Sequence, residues 1–403
     1  LAYRELRRIE TDVIVAIRQR RGETGMSLNI EWEQKLSIGQ FYGFELNWWP
    51  AKIAETAMFL VDHQANKELA NAVGRPPERL PIKITAHIVH GNALRLDWAD
   101  ILPSSATETY IFGNPPFSGA RTMSKSQKLD LERAWSPEPS GLLDLVTGWF
   151  AKAADVLSLR TGEFAFVATN SIVQGIQVPL LFGPLHKEHW SIKFAHRSFV
   201  WDSEAPGKAA VHCVIVGFTR EPQGVPQLWE YENGRGEPRK VPVTGQINGY
   251  LVDGAWILVE SRRQPVSPVL PAITNGSEPR EGGYLMVTQE EFPKLNKDPI
   301  LAKYLRPFVA GAELVRGTKR WCLWLTDLDP NDISKSPELK RRLDLVRGMR
   351  RAAKQAATKK AEAFPHLFVQ IRQPQTDYLC IPIVVSTNRR FYTVDYLPKE
   401  VIC

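Results

Sequence analysis

Tyr110-Ile111-Phe112-Gly113-Asn114-Pro115-Pro116-Phe117 is the stretch on which the reading of this 403-residue chain turns. A short apolar run that reads as a buried strand stops there at a polar residue followed by two prolines. Proline fixes its own φ and pushes the residue before it out of helical geometry, so Asn114 is expected to be extended at the carboxyl end of the strand. In open α/β sheets that edge is where ligands bind. The competing reading of the tripeptide is a Pro-Pro turn that does no more than close a strand.

The residue types favour a site. A carboxamide oxygen and the adjacent main-chain carbonyl can together accept two hydrogen bonds from one amino group, and Phe117 can stack on a flat ring. The combination suits an exocyclic amine on a base.

Upstream, Leu36 to Glu45 reads as a strand carrying Phe41, Tyr42 and Phe44 and ending in an acid. A helix follows at once, with Pro50 in its first turn, Ile53, Ala57, Leu60 and Val61 on an apolar face, and Gly74 and Pro76-Pro77 closing it. Ile82 to Val89 alternates as a further strand and leads into Gly91-Asn92-Ala93-Leu94-Arg95-Leu96-Asp97-Trp98. Glu45, Asn92 and Asn114 would then face one crevice, and an acid at the tip of a second strand is placed to accept both hydroxyls of a ribose. The first segment is helical by spacing (Leu6, Ile9, Val13, Ile17), so the chain opens inside an element, and Val401-Ile402-Cys403 ends as a strand-like run. Both ends read as cut.

Downstream, Arg121, Lys125 and Lys128 form either a solvated loop or a lip that contacts phosphates. A helix over 143–157 feeds a strand over 163–169, and Thr169-Asn170-Ser171 opens a loop on the same edge. Two more strands follow, over 193–201 and 209–218. The alternation predicts a doubly wound parallel sheet closed by an antiparallel last strand. Composition is that of an ordered chain, 43% hydrophobic and 24% charged, with a formal charge of +7. Cys213, Cys322, Cys380 and Cys403 lie far apart, which suggests neither a zinc cluster nor a disulfide framework, hence no metal and a reducing compartment. No apolar run reaches the length of a membrane span and no signal peptide opens the chain, so a cytoplasmic protein is expected.

Taken together, Phe41 to Leu46, His90 to Trp98, Asn114 to Phe117 and Phe194 to Phe218 resemble the amino-methylating DNA methyltransferases. In detail the chain resembles the methyltransferase part of the MmeI-like fused restriction-modification enzymes, most specifically in FYGFELNWWPAKIAETAMFLVDHQAN over 41–66. The resemblance implies a Rossmann-like class I fold using S-adenosylmethionine, with Asn114, Pro115, Pro116 and Phe117 as the catalytic motif of adenine-N6 methylation on double-stranded DNA. It further implies that Glu45 takes the donor's ribose and Asn92 its adenine edge, and that Phe117 grips a flipped base. Phe199 or Trp201 would form the other face of that slot, or else pack in the core. A nuclease domain is a further implied partner in a full-length protein. The family's first strand and glycine-rich donor loop are absent from the chain, which predicts poor donor binding. The implied domains are an amino-terminally truncated methyltransferase over 1–220, a connector over 221–300, and the carboxy-terminally truncated start of a target-recognition domain over 301–403.

Charge places the nucleic-acid surface. Between Lys335 and Glu362 ten Lys or Arg face three acids, an excess equal to the formal charge of the whole chain. Unbalanced basic charge on one helix, predicted near 337–363, points to phosphate contact through Lys340, Arg341, Arg347, Arg350, Arg351 and Lys354. Base readers are expected next, around Arg372, Gln373 and Tyr378, since Arg and Gln can bond bidentately to guanine and adenine. Arg372-Gln373-Pro374 reads equally as a structural turn. A DNA-binding specificity module on a degenerate methyltransferase fold is the alternative to an enzyme.

Overall fold

The computed structural model describes residues 1–22, 33–73, 85–103, 108–138, 141–201, 211–385, 389 and 391–403. Gly74, Pro76, Pro77, Ile82, Ile84 and Ala209, which entered the expected helix end and two strand starts, lie outside them. The chain forms two compact units, Leu1–Ser261 and Arg262–Cys403.

In the first unit, helix α1 (Ala2–Arg21) ends on Gly22, whose φ of 69° forms a left-handed cap that a residue with a Cβ rarely adopts. Its buried face is not the apolar stripe expected. Tyr3, Arg7, Ile14 and Arg18 turn inward, while Leu6, Ile9, Val13 and Ile17 stand exposed. The reason is polar: Arg7 donates to Asp62 at 3.0 Å and to Asn66 at 2.9 Å, both on helix α2 (Trp48–Val73). Ile53 and Leu60 of α2 are likewise exposed, and Ala51, Ala65, Leu69 and Val73 are buried instead.

Strand β1 (Tyr42–Glu45) pairs in parallel with β2 (His87–His90), a register that sets Glu45 beside His90. The larger sheet holds β3 (Thr109–Gly113), β4 (Gly162–Thr169), β5 (Ser191–Trp201), β6 (Val211–Thr219), β7 (Gln227–Glu232) and β8 (Arg235–Val241), in the order β3-β4-β6-β5-β7-β8. It is a mixed sheet. β3 and β4 run parallel, but β6, the antiparallel strand expected to close the sheet, is inserted between β4 and β5 and opposes both.

Helices α3 (Lys125–Trp135), α4 (Thr147–Leu157) and α5 (Gln177–Lys187) belong to the same unit. α4 begins later than the expected 143; ahead of it, Asp144 accepts the Val146 amide at 3.2 Å. Alternation along β4 sends Phe164, Phe166 and Ala168 inward to meet Phe150 of α4 and Phe218 of β6. Phe164 stacks on Phe218 at 4.9 Å and Phe150 tilts against Phe166 at 5.1 Å. Full burial of each such ring contributes about 1.5–3 kcal/mol. These rings form the floor beneath the strand tips.

β7 and β8 fall in the stretch expected from sequence as a connector. They form a hairpin whose turn is Asn233-Gly234, with φ of 51° and 74°. Two successive positive φ values are the signature of the tight turn whose twist matches flanking strands, and Asn-Gly is its preferred pair. Elsewhere in the expected connector, Tyr250 to Val252 and Trp256 to Val259 form no strand.

The second unit has a small antiparallel sheet in the order β10-β11-β9, built from β9 (Met286–Val287), β10 (Leu305–Pro307) and β11 (Trp321–Leu323). A separate pair joins β12 (Tyr378–Cys380) to β13 (Asp395–Leu397). Helix α6 (Pro337–Ala352) packs Leu339, Leu343 and Val346 into the core of this unit. Ser336 caps it by accepting the Leu339 amide at 3.3 Å.

Candidate functional site

β3 pairs on one side only, with β4, so the expected buried strand is an edge among the described residues. Tyr110 and Phe112 are 58% and 56% exposed on one face, while Gly113 faces the Phe166 ring on the other. At its carboxyl end Asn114 is exposed, Pro115 is buried, Pro116 is exposed, and Phe117 is half-buried against the core. The buried proline fixes the backbone, which leaves the Asn114 carboxamide projecting from a rigid base.

The next residue is held from both ends. The Ser118 amide donates to Asp144 Oδ1 at 3.1 Å, and the Ser118 carbonyl accepts from the Leu145 amide at 2.9 Å. Sequence reasoning missed Asp144. Its signal was a charged residue inside an apolar run, Leu142-Leu143-Asp144-Leu145-Val146, which a buried acid rarely tolerates without partners.

At the tip of β1, Glu45 accepts the Asn47 amide at 3.1 Å through one carboxylate oxygen. Its backbone carbonyl accepts the Gly91 amide at 2.8 Å, which brings Gly91-Asn92 alongside. Asn92 is fixed by two bonds: its amide group donates to Asp130 Oδ2 at 3.0 Å and its oxygen accepts the Leu94 amide at 3.0 Å. One N–H and one lone pair of its side chain are left. Asp130, 3% exposed, also takes the Arg95 guanidinium at 2.8 Å, and so anchors α3 to this loop.

At the tip of β4, Asn170 donates to Ser198 Oγ at 3.2 Å. A bulge in β5 between His196 and Phe199 turns Arg197 to Glu230 (2.9 Å) and to the Leu251 carbonyl (2.9 Å). Phe199 packs on Tyr231 at 4.9 Å, and Trp201 is 41% exposed beside it. His196 stacks on Trp229 at 4.7 Å and bonds Tyr231 at 2.8 Å, and burial holds its pKa below the ordinary value. Cys213, opposite Phe199, is fully buried, and burial pushes its thiol up to about 11, which leaves little thiolate for covalent catalysis. Arg121 and Lys125 are exposed, Arg121 in the loop before α3 and Lys125 in its first turn.

In the second unit two expected nucleic-acid contacts are corrected. Arg350 is fully buried and all five of its donors are engaged: Nε to Arg280 O at 3.1 Å, Nη1 to Ala361 O and Phe364 O at 3.0 and 2.8 Å, and Nη2 to Pro279 O and Leu367 O at 3.1 and 2.7 Å. No donor remains for a phosphate. Gln373 gives both amide hydrogens to Lys399 O and Val401 O at 2.8 and 2.7 Å, so the donor needed for bidentate adenine pairing is taken. Tyr378 also donates to Val401 O, at 2.6 Å.

The other cations of α6 divide. Arg341 pairs with Glu338 and Arg347 with Asp344, both at 2.7 Å; Arg351 pairs with Glu362 at 2.7 Å; all three remain on the surface. Arg341 first, and Arg342 after it, pull the Glu338 carboxyl down to about 2. Lys340, Lys354 and Arg372 are exposed.

Residues 1–230 match the family model described as MmeI, DNA-methyltransferase domain, and residues 253–403 match MmeI, target recognition domain. DNA methyltransferase A of Bacillus subtilis (strain 168) is 33% identical in an alignment of 398 residues that covers 97% of this chain and 44% of that protein. The structure of the type IIL restriction-modification enzyme MmeI in complex with DNA superposes with a TM-score of 0.85 at 38% identity, over 100% of this chain and 53% of that one. The chain thus spans about half the length of the relatives it matches.

Proposed function

Since this chain belongs to the MmeI DNA-methyltransferase family, we propose that it is the methyltransferase and target-recognition part of a site-specific DNA adenine-N6 methyltransferase of a type IIL restriction-modification system. The observation that carries the reading is Asn114, exposed at the carboxyl tip of β3 on a buried proline and followed by a half-buried Phe117. Its carboxamide oxygen and the Pro115 carbonyl accept the two hydrogens of the target amino group. That draws the nitrogen lone pair out of conjugation with the ring and directs it outward, so it can attack in line. Positioning and hydrogen bonding do the catalytic work, without a covalent enzyme intermediate.

The donor set fits S-adenosylmethionine at the strand tips. Glu45 binds one amide through one oxygen, and the free hydrogen-bonding capacity of Asn92 is aimed by Asp130. When bound, S-adenosylmethionine supplies the sulfonium methyl; Glu45 would hold its ribose and Asn92 its adenine edge. The base leaves the duplex to be reached, and Phe117, with Phe199 or Trp201, would grip it by stacking. Arg121 and Lys125, with Lys340, Arg341, Arg347, Arg351 and Lys354, would contact phosphates, and Arg372 would read a base. A nuclease domain in the full-length protein and a cytoplasmic location belong to the same reading. Among the described residues no helix is long and apolar enough to cross a membrane.

The test is methyl transfer from labelled S-adenosylmethionine to mixed-sequence duplex DNA. It compares the chain with a form that carries a relative's first strand and glycine-rich loop ahead of Leu1, each with Asn114→Ala as control. Transfer to adenine by the extended form, lost in Asn114→Ala, is the expected result. Salt-sensitive DNA binding with no transfer by either form would instead favour a specificity module without activity of its own.

A further inference from the structure

We infer that Asp144 is a positioning residue that holds the Asn114–Phe117 segment through a buried tether to the tip of β4. Its catalytic consequence rests on the reaction proposed above; the tether itself rests on hydrogen-bond geometry.

Asp144 is 3% exposed and lies just before α4. Its Oδ1 accepts the Ser118 amide at 3.1 Å and the Val146 amide at 3.2 Å. Its Oδ2 accepts the Thr169 hydroxyl at 3.2 Å. The Leu145 amide donates to the Ser118 carbonyl at 2.9 Å, so both backbone groups of the residue after Phe117 are bound by the pair 144–145. Gln177, in the first turn of α5, steadies the arrangement by accepting the Asp144 amide at 3.0 Å. Thr169 is the last residue of β4, and its hydroxyl also meets Ser171 Oγ at 2.6 Å. One carboxylate therefore joins the loop leaving β3 to the strand beside it.

Capping of α4 would account for less. A cap requires only the Val146 bond and the Asp144 carbonyl, which accepts from Thr147. The bonds to Ser118 and Thr169 lie outside the helix and run along the strand tips. Their effect is to fix the backbone four residues beyond Asn114, where the two acceptors for an amino group must stay in register. Loss of such alignment lowers the rate of a bound complex far more than its affinity.

The experiment uses Asp144→Ala, Asp144→Asn and Thr169→Val. Hydrogen exchange of peptides covering 114–118 and 147–157 is followed in the full chain, and single-turnover methyl transfer in the form that transfers. Asp144→Ala should speed exchange at 114–118 and slow transfer by roughly 10- to 100-fold, with donor and DNA affinity changed by less than about twofold. Thr169→Val should loosen 114–118, leave 147–157 protected, and slow transfer by several-fold. Asp144→Asn should restore most of both, because its oxygen can accept the Ser118 amide and its amino group can donate to the Thr169 hydroxyl.

Unchanged exchange at 114–118 in Asp144→Ala overturns the tether, whatever the protein catalyses. Faster exchange with an unchanged transfer rate overturns the positioning role and leaves a tether that is structural only. If the unsubstituted protein transfers no methyl group, the proposed reaction fails, and faster loop exchange in both Asp144→Ala and Thr169→Val still establishes the tether.

Discussion

Replacing Arg350 by lysine should unfold the second unit more readily while leaving its surface charge as it was. The guanidinium is fully buried and its five hydrogens meet five backbone carbonyls, from Pro279, Arg280, Ala361, Phe364 and Leu367. Burial lowers its pKa, yet arginine begins so high that it stays charged. Lysine retains the charge but offers three donors from a single point, so at least two carbonyls lose their partner. An acceptor left buried without a partner costs about 1–3 kcal/mol, and disruption of a buried charged network as a whole costs about 3–5 kcal/mol. We therefore expect Arg350→Lys to lower stability by about 3 kcal/mol and Arg350→Met by about 3–5 kcal/mol. Urea unfolding followed by tryptophan fluorescence, with the slope compared between variants, reads this directly. Duplex DNA binding across a salt series, taken where the variant is folded, provides the contrast. A phosphate-contacting arginine would behave in the opposite way, with an unchanged unfolding midpoint in Arg350→Lys and a lower salt slope in Arg350→Met by about one. That outcome would refute the structural role.

Gly162 starts β4 at φ 157°, and a Cβ there would run into the Thr109 carbonyl at the start of β3. Gly162→Ala should lower stability by about 1–3 kcal/mol, read as a fall in melting temperature, and should speed hydrogen exchange across β3. Glu338 supplies a pH dependence. Its folded pKa lies near 2, below the ordinary 4.5, because Arg341 and then Arg342 hold the ionised form. Its stabilising contribution is full above about pH 4.5 and is lost as pH falls towards about 2. The difference in melting temperature between parent and Glu338→Gln should therefore be largest near neutrality and shrink through that window. A difference that stays constant down to about pH 2 would contradict the pairing.

Local patterns carried much of the fold. The period-two run of β4 places Phe164 and Phe166 inward, as alternation requires, the apolar run of β6 is buried on both faces, and two prolines mark where β3 must stop. Other features of the fold have a local signal too. Asn233-Gly234 between two extended runs is a hairpin signal, and Arg350 follows Leu339, Leu343 and Val346 at helical spacing, on the stripe that turns inward. A count of charges along α6 states how many there are, not which side they face. On α1 and α2 the apolar spacing pointed to the exposed face, because the ion pair of Arg7 with Asp62 lies on the other.

By itself, then, the sequence determined the type of most elements and the abrupt strand end at Asn114, since backbone preference and side-chain period act over neighbouring residues. Tertiary structure alone decided that β6 enters between β4 and β5, because strand order follows from pairing between distant segments, which no local period encodes. It alone also decided that Asp144 reaches Ser118 and Thr169, 26 and 25 residues away, where burial excludes water and makes each partner obligatory.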